Sequence, residues 1–318
     1  MHETLYIVIP CFNEEEVLHE TANRLEIKMK SMFEQGLISE KSKVIFVDDG
    51  SKDSTWKVIK QLHDENKLFS GFSLSRNVGQ QKSLYAGLMS AKEDADIVVS
   101  MDADLQDDID VLDEMVNAYY KGNDIVYGVR SARKKDSFVR RFASESFYRF
   151  TKMMGIEIVP DHAHYRLMSK RTVEALSEFR EVNLFLPYLA PQLGFKNSVV
   201  YYERNKRFAG ETKYSLRKLF MMATDGITSF STKPIAMISI LVVFSFMAVI
   251  AGIIAILVKK ITNNAIPSWL IIFTSVWAAG AFQLLAIRVI GEYIGKTFKE
   301  TKSRPRYIIS ENLLEKND

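Results

Sequence analysis

The first part of the chain, up to about residue 130, alternates short apolar runs with longer amphipathic stretches, which strongly limits how it can fold. Runs rich in β-branched and aromatic residues have the length of buried strands at 5–9, 44–47, 72–74, 97–101 and 125–129. The stretches between them have the length of helices, at about 15–33, 54–66, 80–91 and 109–121. Strands alternating with helices predict an α/β fold, a mostly parallel sheet covered by helices on both faces.

Polar residues follow each predicted strand at the point where the strand ends. These clusters occupy residues 10–14, 48–51, 75–79, 102–106 and 128–130. One cluster alone is ordinary turn chemistry, because Asp, Gly and Ser favour turns. Several clusters at the carboxyl ends of parallel strands meet at one edge of the sheet, where folds of this class bind ligands. The sequence therefore predicts a ligand site at that edge.

Asp102 and Asp104 lie two residues apart at the end of the fourth predicted strand, so both carboxylates can approach one cation. Carboxylate oxygens suit Mg²⁺ or Mn²⁺, and Mg²⁺ binds through one or two carboxylates together with substrate phosphates. Gln106 adds a neutral oxygen. The alternative, which these residues alone leave open, is an acid-rich helix N-terminus stabilised by the helix dipole.

Asp48 and Asp49 end the second predicted strand and offer hydrogen-bond acceptors for a base or a ribose. Gly50 lets the backbone turn closely at this point. The alternative is a plain helix N-cap at Asp53 or Ser54, and the two roles are compatible.

Basic residues follow the fifth predicted strand, at Arg130, Arg133, Arg140 and Arg141. Further along the chain, Arg207 and Lys213 bracket a flexible polar segment, 208–212. Arginine and lysine side chains are natural partners of phosphate oxygens. The alternatives are a solvated surface and, for the second group, attraction to anionic lipid head groups.

Two long stretches towards the C-terminal end carry no charged residue, 235–258 and 266–287. Each reaches the length, roughly 20 residues, that a helix needs to cross the hydrocarbon core of a bilayer. Buried core helices are the alternative, although two such stretches in tandem favour membrane spans. Because the outer flanks are rich in Lys and Arg, the positive-inside rule places both chain ends in the cytoplasm and the short connector outside.

These features predict a multi-pass protein of the cell membrane in four parts. The parts are a cytoplasmic α/β domain at 1–212, a juxtamembrane amphipathic helix at 213–233, two transmembrane helices within 234–290 (about 235–258 and 266–289) and a basic cytoplasmic tail at 291–318. A homo-oligomer formed through the C-terminal helices is compatible with this arrangement.

The net charge and the cysteine content limit which partners and which cellular compartment are expected for this chain. A net charge of +3 is too small to indicate nucleic acid as a partner. Cys11 is the only cysteine, so no disulfide within the chain is expected, which fits a reducing compartment. The first residues have neither the basic region nor the cleavage site of a signal peptide, so none is expected.

Motifs along nearly the whole chain carry a resemblance to a known family. They read IVIPCFNEE, VIFVDDGSKDST, LSRNVGQQKSLYAGL, VVSMDADLQDD, YGVR, HYRLMSKR and RFAGETKYSLRKL. In this order and spacing they resemble glycosyltransferase family 2, specifically its dolichol-phosphate mannose synthase-like branch, which includes bacterial polyprenyl-phosphate (bactoprenol) glycosyltransferases. The resemblance implies a Rossmann-like GT-A fold and sugar transfer with inversion.

The resemblance also implies roles for single residues. The nucleotide-sugar pocket would comprise Pro10, Asn13, Glu14, Asp48, Asp49, Arg76, Asp102 and Arg130. The metal–diphosphate site would comprise Asp102, Asp104 and Gln106, with Asp104 also acting in catalysis. The acceptor phosphate would be held by Arg133, Arg207 and Lys213.

His164 departs from the family pattern, because relatives commonly carry an acid two residues before the motif arginine, here Arg166. That acid is often proposed as the catalytic base. His164 could replace it, since a neutral imidazole is a competent base near pH 7. Asp161 could reach the site instead. A third alternative needs no strong base, because the acceptor phosphate is largely a dianion at pH 7, and a fourth is impaired activity. Arg166 is expected to take part in catalysis.

The implied function is transfer of a hexose or N-acetylhexosamine from a nucleotide-sugar, UDP-glucose or UDP-N-acetylglucosamine being favoured, to undecaprenyl phosphate at the cytoplasmic membrane face. Mg²⁺ or Mn²⁺ would be the cofactor, and the product would be a lipid-linked sugar donor for modifying cell-envelope glycans. A processive polysaccharide synthase of the same fold is an alternative, although its Q-x-x-R-W segment is absent. A non-catalytic membrane scaffold predicts loss of the paired aspartates, and a nucleotidyltransferase leaves the C-terminal stretches unexplained.

Overall fold

The structure, a computed structural model, describes residues 2–131, 162–180, 186–203, 261, 268–302 and 304–314. Its strands are β1 Leu5–Cys11, β2 Lys43–Asp48, β3 Phe69–Leu74, β4 Ile97–Ser100, β5 Ile125–Arg130, β6 His162–Ser169, β7 Asn197–Tyr202 and β8 Ile309–Asn312. Its helices are α1 Leu18–Glu34, α2 Thr55–Glu65, α3 Gln80–Ala91, α4 Leu112–Tyr120, α5 Lys170–Ser177, α6 Leu186–Gln192 and α7 Ser268–Thr301. A short 3₁₀ turn, Ile109–Val111, leads into α4.

The strands form one mixed sheet in the order β7-β5-β6-β4-β1-β2-β3-β8. Its centre is parallel, because β1 pairs in parallel with both β2 and β4, and β2 pairs in parallel with β3. β6 runs antiparallel between β4 and β5, and β8 runs antiparallel along β3. The predicted α/β fold with its mostly parallel sheet is confirmed, and the two antiparallel strands are additions to it.

The strand directions bring the functional segments to one edge of the sheet. The carboxyl ends of β1 to β5 and of β7 all lie at this edge. Because β6 runs the opposite way, its amino end, which carries His164, reaches the same edge. The loops after the parallel strands therefore meet the start of β6.

The central strands are buried on both faces, as their continuous apolar sequence requires. On one face, Ile7 of β1 and Phe46 of β2 join a core that includes Leu25 of α1 and Met115 of α4. On the other face α3 lies so close to the sheet that a Cβ at Gly87 would be 2.2 Å from a methyl carbon of Val8. Glycine at this position permits the close packing of α3, whose amino end faces the site.

The chain returns to the sheet after α7. β8 pairs with β3, and Lys60 of α2 forms a 2.8 Å ion pair with Glu311. The chain divides into two compact units, the first comprising Met1–Arg149, Glu157–Ser215 and Arg304–Asp318, and the second comprising Phe150–Ile156 and Leu216–Ser303. The sheet belongs to the first unit and α7 to the second.

The predicted membrane segments coincide only partly with described residues. The juxtamembrane segment 213–233 and the first predicted span, 235–258, lie outside them, and the second span, 266–289, overlaps α7. Among the helices that the structure describes, none is both long and apolar enough to cross a membrane. The two spans, like the four-part division of the chain, remain predictions.

We predict that Gly50→Ala destabilises the protein by about 2 kcal/mol more than Gly194→Ala, the matched control. Both glycines have left-handed backbone, with φ of 64° and 68°, so both substitutions carry the same conformational cost. A Cβ at Gly50 would also lie 2.6 Å from backbone atoms of Arg76 and Asn77, whereas at Gly194 no other described residue has an atom within 4 Å of it. Thermal unfolding of the full-length protein measures the difference, and equal midpoints for the two variants would contradict the close approach.

Candidate active site

The loops after β1 and β2 are joined by hydrogen bonds that involve two predicted nucleotide-pocket residues. Asn13, which has a φ of 53°, donates its N–H to Ser51 Oγ at 2.9 Å and accepts from Lys52 N–H at 2.9 Å. Glu14 donates its N–H to Thr55 Oγ1 at 2.9 Å. Pro10 lies within β1, beside this pair of loops. The left-handed turn at Asn13 thus fixes the backbone that would border a nucleotide.

The Asp48 and Asp49 carboxylates are buried and hold the neighbouring loops in place. Asp48 accepts from Ser51 N–H at 3.1 Å and from Ser73 Oγ at 2.7 Å. Asp49 accepts from the N–H groups of Val78 and Gly79 at 2.8 and 2.9 Å, so it anchors the approach to α3. Burial raises the pKa of Asp49, and the two backbone donors oppose that rise. The structure gives both residues a positioning role, and their contact with a nucleotide remains a prediction.

The loop after β3, residues 75–79, carries the predicted pocket residue Arg76 and is held from two sides. Asp49 binds its end, and the C-terminal segment holds its start, because Ser75 N–H donates to the Ile308 carbonyl at 2.9 Å. Close by, the Arg306 guanidinium lies over the Tyr85 ring of α3, 4.5 Å from its centroid. Arg76 itself is exposed at this edge. The tail after α7 thus supports the loop that carries Arg76.

The paired aspartates lie on a tight turn after β4. Leu105, buried between Asp104 and Gln106, has a φ of 56°, an unfavourable conformation for a residue with a side chain. Gln106 N–H donates to Asp104 Oδ1 at 3.2 Å, and Gln80 of α3 donates through Nε2 to Asp102 Oδ1 at 2.8 Å. Backbone strain of this kind is kept where the surroundings over-determine it, often at functional sites.

Negative charge is concentrated at this turn. Burial, followed by the charges of Asp107 and Asp104, raises the pKa of Asp102 to about 7, and Arg130 opposes the rise. A divalent cation would relieve this repulsion, and the oxygens of Asp102, Asp104 and Gln106 are the type that Mg²⁺ and Mn²⁺ prefer. Within the described part of the chain, no group of three or more His, Cys, Asp or Glu side chains forms a metal cage. Mg²⁺ typically binds through one or two carboxylates together with substrate phosphates, and the oxygens present here fit that type of site.

Arg130 reaches the turn from the end of β5. Its Nε donates to the Tyr202 hydroxyl at 3.2 Å, and its Nη2 donates to Asp107 Oδ1 at 3.5 Å. Tyr202 in turn donates to the same Asp107 oxygen at 2.5 Å, and the other Asp107 oxygen accepts from Asp102 N–H at 3.4 Å. These bonds place a guanidinium beside the paired aspartates.

His164 also reaches the edge, with its backbone and its ring both held. Its carbonyl accepts from Ser100 Oγ at 2.5 Å. Gln81 accepts from Leu186 N–H through Oε1 at 3.1 Å, so its amide NH₂ faces the imidazole, with Nε2 lying 3.2 Å from His164 Nε2. Because that amide nitrogen can only donate, the ring nitrogen facing it is the acceptor. This contact favours a neutral imidazole.

Arg166 is almost completely buried. It is 1% exposed and donates through Nη1 to the Leu186 carbonyl at 3.0 Å. Among the described residues, no partner accepts from its Nε or Nη2. In this arrangement the guanidinium holds the start of α6, and its part in catalysis remains a prediction.

Four predicted site residues lie outside the described residues, namely Asp161, Arg133, Arg207 and Lys213. Conversely, the structure adds three residues to the predicted set, Gln80, Gln81 and Tyr202. Asp107 lies in the acid-rich stretch that follows the paired aspartates, but its link to Arg130 has no local sequence signal. Tyr202 lies on β7, a strand that the apolar pattern did not predict.

Comparison with known proteins decides the family. Residues 6–176 match the family profile of glycosyl transferase family 2. The chain belongs to this family. The predicted family membership and the assignment as a glycosyltransferase are therefore confirmed, and the sheet is that of a GT-A-like domain.

Relatives match the family 2 chain along almost its whole length. The uncharacterized glycosyltransferase YkoT of Bacillus subtilis (strain 168) is 46% identical over 97% of this chain and 92% of its own. The prophage bactoprenol glucosyl transferase homolog of Escherichia coli (strain K12) is 37% identical over 95% and 97%. The bactoprenol glucosyl transferase of Shigella phage SfX is 35% identical, again over 95% and 97%.

We predict that Arg166→Met leaves the protein as stable as the wild type or raises its stability by about 1–2 kcal/mol at pH 7. Burial lowers the pKa of Arg166 to about 10 from its usual 12.5, so the fold disfavours the charged form. The difference corresponds to roughly 3 kcal/mol, present in full below pH 10 and relieved as the pH rises above it. The loss of the bond to Leu186 offsets part of the gain.

Arg171→Met is the matched control, because Arg171 is exposed and paired with the buried Asp124 carboxylate through Nε and Nη2. Its loss leaves that carboxylate without its charged partner, and we expect a lower unfolding midpoint. An Arg166→Met variant that unfolds below the wild type, as Arg171→Met does, would contradict the account of Arg166.

Proposed function

We propose that this glycosyltransferase transfers a hexose or N-acetylhexosamine from a UDP-sugar to undecaprenyl phosphate, forming a lipid-linked sugar for cell-envelope glycan modification. The carrying observation is the convergence of Asp102, Asp104 and Arg130 at one sheet edge, where carboxylates and a guanidinium suit a nucleoside diphosphate and its cation. Full-length similarity to proteins named bactoprenol glucosyl transferase supports the lipid acceptor.

The donor side of the proposed site uses the loops after β1 to β5. The left-handed turn at Asn13 and the fixed carboxylates Asp48 and Asp49 would border the base and ribose. Asp102, Asp104 and Gln106 would hold Mg²⁺ or Mn²⁺, which when bound would neutralise the diphosphate leaving group. Arg130 would add a positive charge to the same leaving group.

The acceptor supplies its own nucleophile in this proposal. The second pKa of a phosphate monoester is near 6, so the lipid phosphate is largely a dianion at pH 7. The Gln81 amide donates to one ring nitrogen of His164, which fits a neutral imidazole. An imidazole held in this way is better suited to positioning the lipid phosphate than to removing a proton from it. Positioning and charge stabilisation would then provide most of the catalysis.

The proposed acceptor clamp comprises Arg133, Arg207 and Lys213, close in sequence to the predicted juxtamembrane helix. A polyprenyl acceptor requires that the site lie near a bilayer, and the two uncharged stretches would keep it there. β7 precedes these stretches and β8 follows them, yet both strands belong to one sheet. If the chain between these strands crosses a membrane, it does so an even number of times, which agrees with two spans and with both flanks on one side.

The alternative of a non-catalytic scaffold has less support from the site. A scaffold has no need for paired aspartates on a strained turn, held by Gln80 from α3. A processive synthase would form a longer product in a sugar-transfer assay. Association through the C-terminal helices would raise the mass of the active particle.

We predict that Asp104→Asn folds normally but transfers sugar roughly 10²–10³-fold more slowly, because it loses a charged oxygen that would hold the cation. The assay is transfer of labelled sugar from a UDP-sugar to undecaprenyl phosphate, with Mn²⁺ or Mg²⁺, scored in the organic phase. Asp110→Asn is the matched control, since Asp110 is an exposed acid six residues further along the chain. EDTA should stop the wild type, and wild-type turnover by Asp104→Asn would rule out the metal assignment.

We predict that kcat/KM for the lipid rises with pH through about pH 6 and then levels, because the acceptor dianion is the reactive form. In His164→Asn the same rise should persist with a rate loss below about 10-fold, smaller than the roughly 10²–10⁴-fold typical of a lost general base. His63→Asn, at a histidine bonded to the Phe69 carbonyl, controls for loss of an imidazole elsewhere. A large loss together with disappearance of the rise would instead assign the base role to His164.

A further inference from the structure

Arg130 is held along one side of its guanidinium. Nε donates to Tyr202 and Nη2 donates to Asp107, while no described residue accepts a hydrogen bond from Nη1. The side chain is 28% exposed, whereas the Asp107 side chain is fully buried. The guanidinium is thus fixed by the protein on one side and presents its remaining N–H groups at the edge of the site.

Tyr202 occupies its position because of the strand pairing. β5 and β7 run parallel, and Arg130 and Tyr202 are register partners at the ends of the two strands. Ser131 extends the pairing, with its N–H and its hydroxyl donating to the Tyr202 carbonyl at 2.7 and 2.9 Å. Tyr202 is 3% exposed, and its ring packs edge-on against Tyr165, with centroids 5.5 Å apart. The phenol therefore has little freedom to turn elsewhere.

The direction of each hydrogen bond follows from the groups involved. A carboxylate can only accept, so the Tyr202 O–H donates to Asp107 and its oxygen lone pair is left to accept from Arg130 Nε. Burial and the charge of Asp107 raise the pKa of Tyr202, which keeps the phenol protonated for this role. The hydrogen bonds therefore run in one direction, from Arg130 through Tyr202 to the buried Asp107 carboxylate.

Asp107 connects this chain to the paired aspartates. One of its oxygens accepts hydrogen bonds from Tyr202 and Arg130, and the other accepts one from the Asp102 N–H. One buried carboxylate thus sets the position of both the guanidinium and the turn that would carry the cation. Displacement of the phenol would change the orientation of the Arg130 guanidinium without removing its charge.

We propose that Tyr202 is a positioning residue that, together with Asp107, orients Arg130 towards the diphosphate of the nucleotide donor. This inference rests on the proposed function, because it specifies how one part of that site is built. A pre-oriented guanidinium loses less side-chain freedom when it binds an anion than one that is mobile. The benefit belongs to donor binding and not to the lipid acceptor.

The test compares Tyr202→Phe with Tyr165→Phe in the full-length, detergent-solubilised protein. Tyr165→Phe removes a buried phenol that donates to the Asp108 carbonyl at 2.9 Å, on the ring packed against Tyr202, without touching Arg130. Binding of UDP in the presence of Mn²⁺ is measured by calorimetry, and KM for donor and for lipid by the transfer assay. Both phenylalanine variants are also made in the Arg130→Lys background, where no guanidinium is left to orient.

We expect Tyr202→Phe to weaken UDP binding and raise the donor KM about 10-fold, with an unchanged lipid KM. Tyr165→Phe should stay within about 2-fold of the wild type on every measure, and in the Arg130→Lys background Tyr202→Phe should add less than about 2-fold. The inference is overturned if Tyr202→Phe matches Tyr165→Phe, or if it costs the same factor in both backgrounds, since a purely structural role would do that.

Failures of the inference and of the proposed function can be told apart. If the wild type binds no UDP with Mn²⁺, the proposed function fails and the inference falls with it. If the wild type transfers sugar and only the Tyr202 comparison fails, the inference alone is wrong. Should Tyr202→Phe unfold well below Tyr165→Phe, Asp107→Asn replaces it, and an unchanged donor KM in that variant overturns the inference.

Discussion

The burial of the central strands on both faces is the constraint on which the rest of the structure depends. Strands such as β1 and β2 can carry almost no polar side chain along their length, so polar chemistry is confined to the residues beyond their ends. Parallel pairing then collects those ends at one edge, and the reversed direction of β6 adds His164 to the same edge. The location of the active site follows from how the core is buried.

Collecting carboxylates at one edge has an electrostatic cost, which the protein limits with a few fixed contacts. Asp49 is satisfied by two backbone N–H groups, and Asp107 by a phenol and a guanidinium. Asp102 keeps a raised pKa even so, because it is buried and because its neighbours Asp107 and Asp104 share its sign. This residual repulsion suits a site completed by a cation and by phosphates, since the ligand then supplies what the protein leaves unbalanced.

The sequence predicted what depends on local pattern. The five strands, the helices between them and the paired aspartates carry apolar runs, periodicity or turn chemistry that can be read locally. β8 could not be predicted in this way, because its residues are exposed and it gains its order from pairing with β3. The contacts of Gln81 with His164 and of Tyr202 with Arg130 join residues 83 and 72 positions apart, so only the folded chain reveals them. The sequence identified Arg166 as part of a family motif. Its burial could not be predicted, because it depends on the packing of α6.

The central claim is that one sugar is attached directly to the phosphate of a polyprenyl lipid. Mass spectrometry of the organic-phase product, together with identification of the released nucleotide, tests it most directly. The account predicts a lipid that carries a single hexose or N-acetylhexosamine on one phosphate, with UDP released in equal amount. A sugar linked through a diphosphate with release of UMP, a polymeric product, or free sugar without any lipid product would contradict it.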